Sequence, residues 1–358
     1  MRQAGLFGLS EHLKRLSADG DPLEELGRVV DFEVFRPALV SALAYGDGAK
    51  GGRPPYDPVA MFKVLILAAQ NNVSDARMEY LIRDRLSWLR FLGFDLGAPT
   101  PDANTIRLFR EKLTEAGALE ALFFAFDREL KQRGYLAMGG QIVDATLVAA
   151  PKQRNTGPEK DAIKAGKSAD EIWPDAPAKA RQKDTDARWT LKFAKGRPTP
   201  DGKPQADIAI PSFGYKSSIS ICRRFGFIRK GKVTDGARFD GRMLRDVVSN
   251  DNTASDVWAD TAYRSEANER WLRRSGKVSR IHRKKPRGKP MPGRTAQANA
   301  AKSKVRARVE HVFAHQKDKM GLFIRTIGIK RAEAKVTLAN LAYNMHRLVF
   351  HERRAAMG

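Results

Sequence analysis

The sequence predicts a mixed α/β protein, with an all-helical N-terminal region followed by a five-stranded mixed sheet that carries helices on both faces. Residues 1–137 repeat apolar side chains at helical spacing, whereas from residue 138 the pattern changes to strands. In the second part three hairpin-connected strands precede two strands that are reached through helical crossovers. We therefore expect two domains, 1–137 and 138–358, the second ending in a C-terminal helical extension.

Three helices of the first region have recognisable starts. Asp57 in "YDPVAMFKVLILAAQ", Ser74 in "VSDARMEYL" and Asp102 in "TPDANTIRLFREKL" each stand where an N-cap is expected. Arg107 and Arg110 project from the last helix, and short helices with tight connections are compatible with a DNA reader of the helix-turn-helix kind. A helical packing module with a solvated basic face fits this stretch at least as well.

The charge balance points to a polyanionic partner. The 358 residues contain 65 Lys and Arg against 41 Asp and Glu, a net charge of +24. Such an excess indicates nucleic acid most often, because neutralising phosphates releases counterions. The single cysteine, Cys222, excludes disulfides and Cys-rich zinc modules. Without a signal-like start or a long apolar run, we expect a cytoplasmic protein near DNA and no membrane partner.

A Lys-, Pro- and Gly-rich stretch follows the first predicted strand. It covers roughly residues 152–205 and includes "PKQRNTGPEKD" and "KGRPTPDGKPQ". The composition predicts a long loop or a partly ordered insertion in the second domain. A loop of this length is unusual in a compact domain, which suggests that it has a function.

Two predicted strands each carry a carboxylate in an apolar setting. Asp144 stands in the middle of "QIVDATLVAA", and Asp260 directly follows the apolar residues of "SDVWADTAY". Burying a lone carboxylate costs on the order of several kcal/mol, so a cation or strong donors must compensate it. The two strands are neighbours in the predicted topology. If the carboxylates meet, either one takes a proton or hard divalent cations share them.

A third acidic residue lies on a predicted helix, within "KVRARVEHVFAHQKDKMG". Arg306 precedes Glu310 by four residues and Lys317 follows it by seven, about −40° and −20° around a regular helix. A carboxylate flanked by two cations suits phosphoryl transfer, in which metals act on the attacking and leaving oxygens and cations hold the strand. The alternatives are a helix cap for Asp260 and an exposed salt-bridge ladder on the helix.

These motifs together resemble the DDE transposases of bacterial insertion sequences, of the insertion-sequence-five type within the insertion-sequence-four-like group. The resemblance covers most of residues 54–350. It rests on "VDATLV", on "WADTAYRS" with Tyr263, and on the spacing of Arg306, Glu310 and Lys317. One departure is Ser303, which stands where the family signature usually has Tyr. An aromatic ring that stacks on DNA is therefore absent there, although Ser303 shares the helix face of Glu310.

The resemblance implies a ribonuclease-H-like core in which Asp144, Asp260 and Glu310 are catalytic and hold two Mg²⁺ ions, with Mn²⁺ as a substitute. Water would free 3′-hydroxyls at the element ends, and these would attack target DNA. Residues 1–137 would bind terminal inverted repeats of double-stranded DNA, and a homodimer would join two ends at the bacterial nucleoid. The implied DNA contacts are Arg306, Lys317, Tyr263, Ser303, Arg283, Lys284, Lys285, Arg107 and Arg110.

Two other functions remain open at this stage. A ribonuclease-H-like nuclease would cut without strand transfer, but the separate helical N-terminal module disfavours it. A non-catalytic DNA-binding derivative of a transposase is disfavoured by the presence of all three carboxylates.

Overall fold

The computed structural model describes residues 8–44, 54–194 and 207–357. The chain divides into two compact units, Met1–Leu136 with Asp318–Gly321 and Thr337–Gly358, and Ala137–Lys317 with Leu322–Val336. Within the described ranges no helix has both the length and the apolarity to cross a membrane.

The first unit is helical, as the sequence predicts. The N-caps of three helices are confirmed: Asp57 accepts from the amides of Val59 and Ala60, Ser74 from that of Arg77, and Asp102 from that of Thr105. Its helices up to residue 136 are α1 Gly8–Ala18, α2 Pro22–Val29, α3 Arg36–Leu43, α4 Pro58–Asn71, α5 Asp75–Asp84, α6 Leu86–Leu92, α7 Ala103–Glu115 and α8 Ala118–Gln132.

The end of the chain belongs to the first unit, although the sequence suggests an extension of the second domain. The last helix, α15 (Ile329–Ala356), enters the first unit at Thr337. There the Tyr135 hydroxyl donates to Glu352 at 3.0 Å, and Arg353 pairs with Glu25 at 3.6 Å. These partners lie more than two hundred residues apart in sequence, so helical periodicity alone does not reveal them.

The second unit contains a mixed sheet. Its strands are β1 Gln141–Ala149, β2 Arg188–Ala194, β3 Ile208–Cys222, β4 Ile228–Asp235, β5 Asp256–Trp258 and β6 Val278–Ser279. Their order is β2-β3-β1-β5-β6, and β4 also pairs with β3. Strand β1 runs antiparallel to β3 and parallel to β5, which is parallel to β6. The mixed α/β fold is therefore confirmed, but with six strands instead of five.

The additional strand lies in the stretch 152–205, whose described part corresponds to the partly ordered insertion of the two predicted alternatives and not to a long loop. Three short helices precede β2: α9 Gly157–Lys164, α10 Ala169–Ile172 and α11 Pro177–Gln182. They enclose a small core of Ile163, Trp173 and Ala180, and the Trp173 indole donates to Glu159 at 2.8 Å. Three apolar residues scattered among Lys, Pro and Gly leave no periodic signal. Residues 195–205 of this stretch lie outside the described ranges.

The two faces of β1 have different neighbours. Val143 belongs to a buried cluster with Val257 and Ala259 of the β5 segment, against which α12 (Leu244–Val247) and α13 (Glu266–Arg274) pack. Because side chains alternate along a strand, Asp144 points to the other face. Helix α14 (Gly293–Ala314) packs against β1 and β5 on that face.

We predict that Gly140→Ala, just before β1, destabilises the protein much more than Gly139→Ala. Both glycines have positive φ angles, 86° and 76°, which cost other residues about 1–2 kcal/mol. At Gly140 an added Cβ would also come within 2.7 Å of the Asp256 carbonyl, whereas at Gly139 the nearest atom is 3.8 Å away.

The steric clash should add about 1–3 kcal/mol for Gly140→Ala. Urea unfolding of both variants measures the difference. Equal losses of unfolding free energy would show that the close approach of β1 and β5 at Gly140 is unimportant.

Candidate functional site

The two carboxylates lie on neighbouring segments of the chain, one on β1 and one just beyond β5. In the parallel pairing of β1 and β5, Ile142 stands opposite Trp258. Asp144 and Asp260 each come two residues later, Asp260 past the end of β5, and side-chain alternation places both on the α14 face. The pKa of Asp144 is raised, mainly by burial and also by the nearby charge of Asp260.

Each aspartate is fixed by a local backbone contact. Asp144 Oδ1 accepts from the Ala145 amide at 2.9 Å. Asp260 caps the short 3-10 helix Thr261–Tyr263, and its Oδ1 accepts from the Ala262 amide at 2.8 Å. The alternative interpretation of Asp260 as a cap is therefore correct. It is compatible with a functional role, because the cap engages one of the two carboxylate oxygens.

Arg306 joins the first carboxylate to the third. From α14 its Nη2 and Nε lie 3.1 and 3.3 Å from Asp144 Oδ2, and Nη2 also lies 3.3 Å from Glu310 Oε1. The Asp144 side chain is only 13% exposed, whereas that of Glu310 is 65% exposed. The charged residues of α14 are thus more than an exposed salt-bridge ladder, since Arg306 reaches across to Asp144 on the sheet.

Lys317 also reaches β1, but from an irregular turn. It belongs to the π-helical turn His315–Lys319 that follows α14, so the angle expected for a regular helix does not apply. Its Nζ donates to Thr146 Oγ1 at 2.5 Å. Thr146 lies two residues after Asp144 on the same strand face, so Arg306 and Lys317 contact neighbouring positions of β1.

The negative charge of Asp144 is only partly compensated. Arg306 and the Ala145 amide lower the pKa of this carboxyl, but the effect of burial is larger and the net direction is upward. Among the described residues, no three His, Cys, Asp or Glu side chains are close enough to hold a metal ion. The third carboxylate, Glu310, is connected to Asp144 through the Arg306 guanidinium. Chemically, the three carboxylates are the hard oxygen donors that a divalent cation prefers.

His282 is a site residue that the sequence analysis missed. In the pairing of β5 and β6, Val257 stands opposite Ser279, so His282 lies level with Asp260. Its ring is buried, and Nε2 is 3.5 Å from Ser303 Oγ on α14. Burial, followed by the charges of Arg306 and Lys302, lowers the pKa of His282. A histidine that directly follows the apolar end of a strand, in "SRIHR", was the available signal.

Two of the predicted DNA contacts are not available at the surface. Tyr263 is fully buried in the cluster behind the sheet, so its ring cannot stack on DNA in this conformation. Arg110 makes a bidentate ion pair with Asp75, both contacts at 2.7 Å, and so ties α7 to α5. In contrast, exposed side chains are found at Arg107, Ser303, Arg283, Lys284 and Lys285.

We predict that a divalent cation stabilises the wild-type protein but not Asp144→Asn. Because the pKa of Asp144 is raised in the folded state, its ionisation at neutral pH opposes folding until a cation compensates it. In chelator, Asp144→Asn should melt at or above the wild-type temperature. At about one hundred times Kd the cation should add about 2.7 kcal/mol to the wild type only.

Thermal unfolding with Mg²⁺, Mn²⁺ or chelator makes this comparison. The control is Asp246→Asn, which removes an exposed carboxylate on α12 and should keep the wild-type response. An equal metal-dependent gain in Asp144→Asn would argue against this residue as a ligand.

Comparison with known proteins identifies the family. The family model described as Transposase domain (DUF772) matches residues 10–112, and the one described as Transposase DDE domain matches residues 136–345, more than half of the chain. No solved structure gives a significant match. The DDE family implies DNA binding, DNA cleavage with strand transfer, and use of divalent metal ions. The chain therefore belongs to the DDE transposases and is an enzyme of DNA transposition.

Proposed function

We propose that this transposase mobilises a bacterial insertion sequence of the insertion-sequence-five type. It cuts DNA at the element ends and joins the freed 3′-hydroxyls to target DNA. The observation that carries the proposal is the arrangement around β1. Asp144 lies on β1 and Asp260 just beyond the end of the adjacent strand β5, and Arg306 connects Asp144 with Glu310 on the helix that packs over β1 and β5.

Asp144, Asp260 and Glu310 are the proposed ligands of two Mg²⁺ ions, with Mn²⁺ as a substitute. Hard carboxylate oxygens suit these ions, and the raised pKa of the buried Asp144 carboxyl supports a need for further positive charge. Two bound ions supply activation of the attacking oxygen and stabilisation of the leaving oxygen. The protein supplies the rigid strands that fix the two aspartates.

Arg306 and Lys317 are the proposed strand-positioning residues. The planar guanidinium of Arg306 would bind a phosphate through two parallel hydrogen bonds once a metal ion takes its place at Asp144. The Thr146 hydroxyl holds the Lys317 ammonium beside it. His282 and Ser303 border the same region and offer further polar atoms to the strand where the family signature has an aromatic ring.

The remaining basic surfaces are proposed to hold DNA without reading its sequence. The exposed residues Arg283, Lys284 and Lys285 lie between β6 and α14 and suit contacts with the phosphate backbone. Residues 1–137 would bind the terminal inverted repeats, with Arg107 exposed on α7. Two copies of the chain would join two element ends at the nucleoid.

We predict that Asp144→Asn, Asp260→Asn and Glu310→Gln each abolish Mg²⁺-dependent cleavage and leave end binding largely intact. Each change removes a charged metal ligand but keeps the size of the side chain. Cleavage and strand transfer are measured with purified protein on DNA that carries the flanking repeats, and binding by gel shift in chelator. Asp246→Asn is the control with an unaltered site.

Wild-type cleavage by any of the three variants would remove that residue from the proposed triad. Cleavage without joined products from the wild-type protein would favour a nuclease without strand transfer.

We predict that Arg306→Ala and Lys317→Ala slow cleavage by about 10- to 100-fold without abolishing it. Such losses are typical when a group that orients ligands or substrate is removed while the ligands remain. Single-turnover cleavage rates measure the effect. Lys304→Ala, an exposed cation on α14, is the matched control. Full rates in both test variants would show that neither cation positions the DNA strand.

A further inference from the structure

A basic cavity lies away from the carboxylates in the second unit. Helices α12 and α13 border an open concavity of about 170 Å³, which is lined by Arg245, Ala267, Arg270, Trp271 and Arg274. Four of these residues follow each other on α13 at the spacing i, i+3, i+4 and i+7, which places them on one helix face. Arg245 comes from α12. We call the space lined by these five residues the arginine cavity.

Trp271 gives the arginine cavity a fixed aromatic surface. Its ring is half-buried and packs against the core cluster that contains Leu272 and Leu244. The indole is therefore held by the fold rather than free to move. The three arginines are exposed around it, so cations surround an aromatic side chain that remains partly open to solvent.

The positive charge of the arginine cavity is largely uncompensated. No carboxylate lines it. Arg270 has a loose partner, Glu266 at 3.6 Å, whose side chain is 83% exposed. Within the described part of the chain, Arg245 and Arg274 make no hydrogen bond or ion pair. In contrast, Arg280 of the same unit pairs with Asp256 at 2.7 Å. An anion in this concavity would therefore meet arginine side chains from two helices and no carboxylate.

The arginine cavity belongs to a different layer from the cleavage site. Helices α12 and α13 pack on the sheet face that contains Val143, whereas Asp144 and Arg306 lie on the opposite face. A strand bound at the carboxylates therefore cannot place the same nucleotide in the arginine cavity. Any ligand of the arginine cavity is therefore separate from the nucleotide at the carboxylates.

We propose that the arginine cavity binds one nucleotide of single-stranded DNA, with its phosphodiester among the arginines and its base against Trp271. Guanidinium groups bind phosphate oxygens in pairs, and base stacking on aromatic rings is the usual means of holding unpaired DNA. The volume is below the roughly 300 Å³ at which pockets for drug-sized ligands begin, so it suits a single phosphodiester better than a whole cofactor. The proposal rests on the chain being a DNA enzyme, but it is independent of the metal ligands.

The test is the binding of a short fluorescent oligothymidylate, measured by anisotropy in chelator so that cleavage plays no part. Arg245→Gln and Arg274→Gln are compared with Arg273→Gln, the neighbouring exposed arginine of α13 that does not line the cavity. Each cavity variant should bind roughly tenfold more weakly than the control. In each cavity variant the slope of the logarithm of the oligonucleotide binding constant against the logarithm of the salt concentration should become shallower by about 0.7.

Equal affinities in Arg274→Gln and Arg273→Gln would overturn the proposal. A loss of affinity confined to duplex DNA would also overturn it, because it would assign the arginines to a duplex backbone. So would complete displacement of the oligonucleotide by inorganic phosphate at a concentration equal to the Kd of the oligonucleotide, which would leave no role for the base. Because the measurement is made in chelator, its outcome is independent of the proposed metal ligands, which the cleavage assays test separately.

Discussion

A carboxylate on the central strand of a sheet requires a cation, and the rest of the site is arranged around that requirement at Asp144. Strand β1 lies between β3 and β5, so Asp144 is desolvated by the fold itself. The parallel pairing with β5 adds the charge of Asp260 at the same level. Helix α14 supplies the opposing charge through Arg306, and the same side chain contacts Glu310. One guanidinium thus links two of the three acidic residues, Asp144 on β1 and Glu310 on α14.

The distances around the Arg306 guanidinium suggest that another cation can take its place at Asp144. Charge-assisted contacts between arginine and carboxylate are usually about 2.7–2.9 Å long. The structural pair Arg110–Asp75 has two contacts of 2.7 Å, whereas Arg306 stands 3.1 and 3.3 Å from Asp144 and divides its donors between two acids. A looser, shared contact compensates the charge of Asp144 only partially, and a metal ion that replaced it would displace a weaker partner than the one in the Arg110–Asp75 pair. This is the property that a metal-dependent transposase needs.

The sequence revealed those parts of the site that local patterns encode. Asp144 and Asp260 were recognisable because apolar residues flank them, and the N-caps at Asp57 and Asp102 because cap chemistry is local. The extra strand β2 and the small core around Trp173 could not be predicted, since their apolar residues have no period. The burial of Tyr263 and the position of His282 depend on strand register and packing, which a single sequence does not specify.

The central claim is that Asp144 and Asp260 bind a divalent cation in place of the Arg306 contact. Anomalous diffraction from crystals containing Mn²⁺ tests it most directly. We expect an anomalous peak within coordination distance of oxygens of both aspartates, with the Arg306 guanidinium moved away from Asp144 Oδ2. A map without Mn²⁺ at Asp144, from protein that cleaves DNA in the same Mn²⁺ concentration, would contradict the account.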